Sequence, residues 1–250
     1  MASFRFIPLG VGDAFSASYY SSCLALEAEG TWLLVDCPHP IRKLMREASA
    51  AAGVALDVGS IAAICLTHLH ADHCSGLEGI GFFARFLLER RVTLLAHPRV
   101  SECLWQNHLA DGMGRLFRGP AEPPELRDLD DFFDLIPLSE AAPTQFGPFA
   151  IETRATRHTL PTTAFRIRAA GRCLGYSADT AFDLSLIEWL SAADLIVHET
   201  GAGLLHTPYG ELGALPATLK SRMRLIHYPD NFDVSASGIE PLRQGHSYSV

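Results

Sequence analysis

Four side chains able to bind a metal fall within six residues in the run Thr67-His68-Leu69-His70-Ala71-Asp72-His73, and this run constrains the chain more than any other feature. Residues two apart on an extended segment point the same way, so His68 and His70 can approach one ion together. Asp72 and His73, on the turn that follows, can reach a second. Imidazole nitrogens and a carboxylate suit zinc, manganese or iron. A solvated polar loop without ligands is the plainer alternative, and the density of ligand types weighs against it. Such a run cannot complete two coordination spheres alone, so other strand ends or loops must supply further groups.

The segments around the run alternate between strand and helix. FRFIPL reads as a strand, and CLALEAEG followed by TWLLVD reads as two strands meeting at a turn around Gly30. IRKLMREASAAA is rich in helix formers, begins after Pro40 and stops at Gly53. The apolar run IAAICLTH is of strand type and ends at the cluster. Ser75-Gly76-Leu77-Glu78 has a capping-box pattern ahead of the helical run GIGFFARFLLERR, which places His68 to His73 on a strand-to-helix loop. VTLLAH reads as a strand, PRVSECLWQNHL as a helix and RGPAEPPELRD as a proline-rich surface loop. Strands follow at DFFDLIPL, FAIETRAT, TAFRIRAA and RCLGYSA, then a helix at DLSLIEWLS, a strand at DLIVHE, a helix near ALPATLKSR and a strand at MRLIHY. Strand clusters alternating with helices point to a layered αββα or related α/β arrangement in one domain over 1–250, with function in the loops at one sheet edge. His158, Asp179 and His227 each close a predicted strand in this layout and are the candidates for the missing ligands.

Composition narrows the partners. With 48% hydrophobic and 19% charged residues the chain suits a large globular core. No apolar stretch approaches the roughly 20 residues of a spanning helix, and MASFRFIPLG lacks the apolar region of a signal peptide, so a cytoplasmic location is expected. The six cysteines form no CxxC pair and are expected reduced and mostly buried. A formal charge of -8 opposes a nucleic-acid backbone, which makes long nucleic acids poor candidates.

The HxHxDH run from His68 to His73 resembles the signature of the metallo-β-lactamase superfamily, and His158, Asp179 and His227 fall in order where its later metal motifs are expected. FIPLGVGDAF and the strand-end Asp36 extend the likeness over most of the chain. It implies a four-layer αββα sandwich and two divalent metal ions, zinc foremost with manganese or iron as alternatives. His68, His70 and His158 would hold one, Asp72, His73 and His227 the other, with Asp179 bridging. The likeness is strongest to the ribonuclease Z and phosphodiesterase-like branch, because Asp194-Leu-Ile-Val-His198-Glu199-Thr200 resembles that branch's acidic motif and His206-Thr207 lies where its next histidine is expected. Glu199 would then orient His206 near the leaving group, and catalysis is assigned to Asp72, Glu199 and His206. Pro208 after Thr207 departs from the pattern, and helix capping by Glu199 with a surface His206 is the alternative.

Members that process transfer RNA often carry a long basic arm between the third histidine and the bridging aspartate. Here those positions, His158 and Asp179, are only 21 apart. The implied substrate is a smaller phosphodiester, cyclic or nucleotide-derived, and the resemblance also implies a homodimer. A thioester or lactone hydrolase of the glyoxalase II or lactonase type shares the same metal motif, and a binding protein that keeps the fold as a scaffold is a third possibility. Structural roles are expected for His39, His97, His108 and His198, and packing beneath the loop for Cys74. His246 is left between pocket and surface.

Overall fold

The computed structural model describes residues 3–117, 119–120 and 122–250. The chain opens with three antiparallel strands, β1 (Phe4–Gly10), β2 (Cys23–Ala28) and β3 (Thr31–Val35), the last two joined by a turn at Glu29 and Gly30. Gly30 has φ 76°, a conformation that glycine adopts without a Cβ penalty. Helix α1 (Ile41–Ala52) follows, its buried Ile41, Leu44, Met45 and Ala48 falling at i, i+3, i+4 and i+7 on one stripe. Gly53 ends it in the left-handed region and donates its N–H to Ser49 O.

Strand β4 (Ile61–Leu66) leads into α2 (Ala71–Cys74) and α3 (Leu77–Leu87), then β5 (Val92–Ala96). The expected capping box before α3 does not form. Gly76 starts that helix without a side-chain cap, and Ser75 Oγ accepts the His39 N–H at 2.9 Å instead. The helix expected over PRVSECLWQNHL is broken into α4 (Pro98–Ser101), a π turn over Trp105–Leu109 and α5 (Ala110–Met113). Part of the proline-rich segment forms β7 (Glu125–Leu126), which pairs antiparallel with β6 (Arg115–Leu116) just ahead of the segment; positions 118 and 121 lie outside the described residues.

The remaining strands are β8 (Phe133–Pro137), β9 (Thr144–Phe146), β10 (Phe149–Ala155), β11 (Thr163–Ala169), β12 (Arg172–Tyr176), β13 (Leu195–Glu199), β14 (Met223–Ile226), β15 (Glu240–Pro241) and β16 (Tyr248–Ser249). Helix α6 (Leu184–Leu190) precedes β13, and α7 (Tyr209–Gly213) and α8 (Ala217–Lys220) precede β14, so the helix expected near ALPATLKSR is two short ones. One seven-stranded sheet runs β16-β1-β2-β3-β4-β5-β8 and the other β15-β14-β13-β12-β11-β10-β9.

Period-two alternation sorts the side chains of the first sheet. Phe6, Leu26, Leu33 and Cys65 face inward and share a core with Phe149, Ile151, Phe165 and Ile167 of the second sheet. Ile7, Ala25, Leu34 and Ile64 face outward and pack with Leu44 of α1 and Ile80 of α3. Leu190 of α6 approaches β12 so closely that a Cβ at Gly175 would lie 3.1 Å from its side chain. The result is the four-layer αββα sandwich of a mixed α/β fold. Each fully buried Leu or Phe contributes about 1.5–3 kcal/mol relative to exposure. Among the described residues no helix is long and apolar enough to cross a membrane.

Candidate metal centre

Three strand ends turn sharply into one cavity. Asp36 after β3, Ala178 after β12 and His227 after β14 have φ of 64°, 51° and 60°, although none is glycine. Left-handed backbone at such residues costs energy and is retained where the surroundings impose it, commonly at functional sites. The turn at Ala178 delivers Asp179, so two of the three bends place an acidic or imidazole side chain directly and the third delivers the next residue.

Asp36 is wholly buried and organises the run that follows β4. Its carboxylate accepts the Thr67 N–H at 2.8 Å, the Thr67 hydroxyl at 2.9 Å and His73 Nδ1 at 2.8 Å. Because the one hydroxyl proton of Thr67 goes to Asp36, His68 Nδ1, 2.9 Å from Thr67 Oγ1, must donate to it, which leaves the lone pair on His68 Nε2. His158 Nδ1 donates to Leu205 O at 3.1 Å, and His70 Nε2 meets Thr159 Oγ1 at 3.0 Å. Each ring therefore has one nitrogen engaged outside and the other turned inward, the arrangement by which neighbouring groups orient metal-ligating histidines.

The inward nitrogens converge. His70 Nδ1 lies 3.0 Å from both His68 Nε2 and His158 Nε2, and the latter two each lie 3.8 Å from Asp179 Oδ2. On the other side of Asp179, its Oδ2 is 3.5 Å from His73 Nε2 and 3.4 Å from His227 Nε2, while Asp72 Oδ2 is 3.2 Å and 3.4 Å from the same two atoms. Two groups of four ligand-type side chains thus share Asp179: His68, His70, His158 with it, and Asp72, His73, His227 with it. All seven expected metal residues are brought together.

These residues fit divalent ions. A tetrahedral centre with bonds of about 2.1 Å sets its ligand atoms roughly 3.4 Å apart, within the observed 3.0–3.8 Å spread. The lone pairs of His68 Nε2 and His158 Nε2 both face His70 Nδ1 at 3.0 Å, so a cation there would satisfy all three nitrogens at once. His73 Nε2 is buried and has no hydrogen-bond partner.

Electrostatics divide the two groups. Burial, helped by the neighbouring His73, holds His68 well below the usual imidazole range, and burial likewise lowers His70 and His158. Burial opposes charge on His73 and His227 as well, but Asp179 with Asp36 outweighs it at the first, and Asp179 with Asp72 at the second. His73 is raised well above its ordinary value and His227 to about 9. Asp72, despite burial, is held far below the usual carboxylate range by His227 and His73.

Glu199 and His206 adjoin this centre as expected. Glu199 Oε1 accepts His206 Nδ1 at 3.1 Å, the Thr180 N–H at 2.9 Å and the Thr207 N–H at 3.3 Å. The His206 ring stacks on His227 with centroids 5.2 Å apart, so Glu199 is not a helix cap and His206 is not a stray surface residue. A Cβ at Gly201 would lie 3.2 Å from His206 Cβ, and glycine there leaves room for the ring. The hydrogen bond that His206 donates to Glu199 raises it above its usual value, against partial burial.

The other histidines stay outside both groups. His198 is buried in β13 with Nδ1 2.7 Å from Glu199 O, and His108 Nε2 lies 2.9 Å from Cys74 Sγ. His97 Nδ1 accepts the Arg99 N–H at 3.3 Å, and His39 precedes a cis proline. Cys74 packs under the loop as expected, its Sγ 3.1 Å from His70 O and its thiol pushed up to about 12 by burial. His246 is exposed and does not line the cavity. That cavity, of about 360 Å3, is lined by Asp13, Ala14, Phe15 and Gly201 besides the cluster. A larger groove of about 650 Å3 beside α1 holds Arg42 and Lys43, which already pair with Asp57 and Glu47, and lacks the convergent ligands.

Thr67 and Thr159 were not singled out from sequence, and FIPLGVGDAF, which ends at Phe15, was noted only for its likeness to the superfamily. The cue for the loop that carries Phe15 was a run of small and polar residues after β1, GDAFSAS, interrupted by one aromatic.

A family model described as Anti-Pycsar protein Apyc1 matches residues 4–246. The chain is similar to a protein of that description from Saccharibacillus brassicae, 31% identical over 252 residues, with 97% of this chain and 98% of that protein covered. Among solved structures it is similar to the metallo-β-lactamase fold protein YhfI of Bacillus subtilis, with a TM-score of 0.74, 18% identity and all of both chains covered. It is also similar to Zn(2+)-bound PqqB of Methylobacterium extorquens, with a TM-score of 0.75 and 15% identity over 98% of this chain and 100% of the other.

Proposed function

The chain belongs to the Anti-Pycsar protein Apyc1 family and carries the metallo-β-lactamase fold, and from that premise we propose that it is a metal-dependent hydrolase cleaving a small phosphodiester at a dinuclear centre. One observation carries the phosphodiester reading: the Glu199–His206 pair, closed at 3.1 Å, stands directly against His227 of the ligand cluster. This is the pairing that the ribonuclease Z and phosphodiesterase-like branch implies, and it gives a leaving oxygen a proton donor.

His68, His70 and His158 would hold one divalent ion and Asp72, His73 and His227 the other, with Asp179 common to both groups; zinc suits these ligands, and manganese or iron are admitted by them too. Such a pair of ions, when bound, supplies Lewis acidity and lowers the pKa of water toward neutrality. Asp36 fixes His73, Thr67 fixes the His68 tautomer, and Leu205 O fixes His158, so the ligand lone pairs are aimed before anything binds. His206 has Nδ1 committed to Glu199, which leaves Nε2 to donate to the departing oxygen. Its side chain is 25% exposed and that of Glu199 only 1%, so the histidine meets the substrate and the carboxylate stays behind it. Glu199 holds the ring and favours its charged form. The acidic chain disfavours long nucleic acid as substrate.

The test loads the protein, as one domain over 1–250, in turn with zinc, manganese and iron. Hydrolysis of a cyclic phosphodiester is compared with a glutathione thioester and a lactone. Turnover of the diester alone is expected; activity confined to the thioester or lactone would sink the phosphodiester assignment. Sedimentation of the same preparation tests the homodimer that the resemblance implies.

A further inference from the structure

Phe15 is 93% exposed, yet it lines the cavity that holds His70, Asp72, Asp179, His206 and His227. A single exposed aromatic needs no explanation by itself. This one differs because the loop beneath it is tied down. Asp13 Oδ1 accepts the Phe15 N–H at 3.0 Å. Asp230 accepts the Ser16 hydroxyl, the Ala17 N–H at 2.8 Å and the Ser18 N–H at 3.2 Å, and Ser16 Oγ accepts the Tyr19 N–H at 2.9 Å. At the base of the loop, a Cβ at Gly12 would lie 2.7 Å from Ser16 Cβ, so the backbone folds back over itself where only glycine fits. Gly12 bridges to Tyr228, the residue after His227, which ties the loop to the strand end that supplies a ligand. The backbone that carries the ring is therefore held beside the site, its entropy already spent on folding.

The charge of the lining limits what reaches that ring. Among the described residues around the cavity there is no lysine or arginine, and Asp13 adds a carboxylate at the rim. A di- or triphosphate would bring charge with nothing to meet it outside the cluster. A diester carrying one negative charge matches, with that charge toward the divalent ions that the cluster would hold and a neutral group left toward Phe15. A volume of about 360 Å3 lies within the roughly 300–1,000 Å3 of small-molecule sites. An aromatic face with no cation beside it favours a flat, uncharged partner, because ring stacking takes any π-face without needing hydrogen bonds.

Resting on the phosphodiester reading above, we propose that Phe15 is a positioning residue that stacks on the nucleobase of a singly charged nucleotide diester, held in place for this by Asp13, Gly12 and Asp230.

The experiment compares a nucleoside 3′,5′-cyclic monophosphate with the same cyclic sugar phosphate bearing a methoxy group in place of the base. For Phe15→Ala the KM of the nucleotide rises about tenfold or more with kcat within about twofold, and the base-free diester is unaffected. Phe15→Trp restores the nucleotide KM. Asp230→Ala, which frees the loop, raises the same KM by a smaller factor. Calorimetric binding of a phosphorothioate nucleotide analogue weakens in Phe15→Ala by the same factor as KM. Equal losses on both substrates, a change in kcat alone, or no change would overturn the proposal. A wild-type enzyme that gains nothing in KM from the base would overturn it too while leaving the diesterase reading intact. If neither diester is cleaved with any metal, that reading fails and the stacking role falls with it.

Discussion

The two halves of the ligand cluster are built from the same residue types but hold opposite charge states. His68, His70 and His158 are pushed toward the neutral form by burial, with lone pairs facing one another at about 3 Å. His73 and His227 sit among Asp36, Asp72 and Asp179 and are held charged. The difference follows from carboxylate placement: Asp179 stands 3.8 Å from His68 and His158 but 3.4–3.5 Å from His73 and His227, and Asp72 adds a second carboxylate to both of these and Asp36 a third to His73. On the proposed assignment, a metal would meet rings that disfavour a proton in one half, and in the other would have to displace protons that balance the carboxylates.

The largest effect is expected from the residue common to both halves. Asp179→Ala should lose bound metal from each, and kcat/KM should drop by at least about 1,000-fold, read by elemental analysis beside kinetics. A variant retaining two tightly bound ions would show that the halves do not depend on their shared carboxylate. His206 belongs to neither ligand group, although its ring stacks on His227. His206→Ala should slow diesters with alkoxide leaving groups by about 100-fold and leave a nitrophenolate ester nearly unchanged, with metal content intact. An equal loss on both esters would remove the proton-donor role. The smallest effect separates the halves by pH. A histidine whose folded pKa is raised stabilises the metal-free protein fully below its unfolded value near 6.5, and that contribution is lost as pH climbs through the folded value, about 9 for His227. The Tm of metal-free protein should therefore fall by a few degrees between pH 6.5 and 9. Zinc should raise Tm more at pH 9, where fewer protons must leave, than at pH 6.5. A metal-free Tm that rises over this range would mean that the second half is not proton-loaded.

Much of this was legible beforehand for a local reason. The strands β1 to β5 and helix α1 announced themselves because their hydrophobic period is carried by adjacent residues. The capping box before α3 misled because Ser75 has a competing partner, the His39 N–H, which is distant in sequence. The helix after β5 broke at a π turn that no propensity signals.

The sequence by itself determined that this chain carries a metal-ligand run between a buried strand and a helix, and that strands and helices alternate in layers, since both depend on neighbours along the chain. Only the tertiary structure brings the six singled-out histidines together: His70 and His158 are 88 positions apart, and Asp72 and His227 are 155 apart. Their meeting is set by the register of two sheets and by left-handed turns at Asp36, Ala178 and His227. It also decided the charge of each imidazole and the place of Phe15. Those follow from burial and from carboxylates brought close in space, which no spacing along the chain encodes.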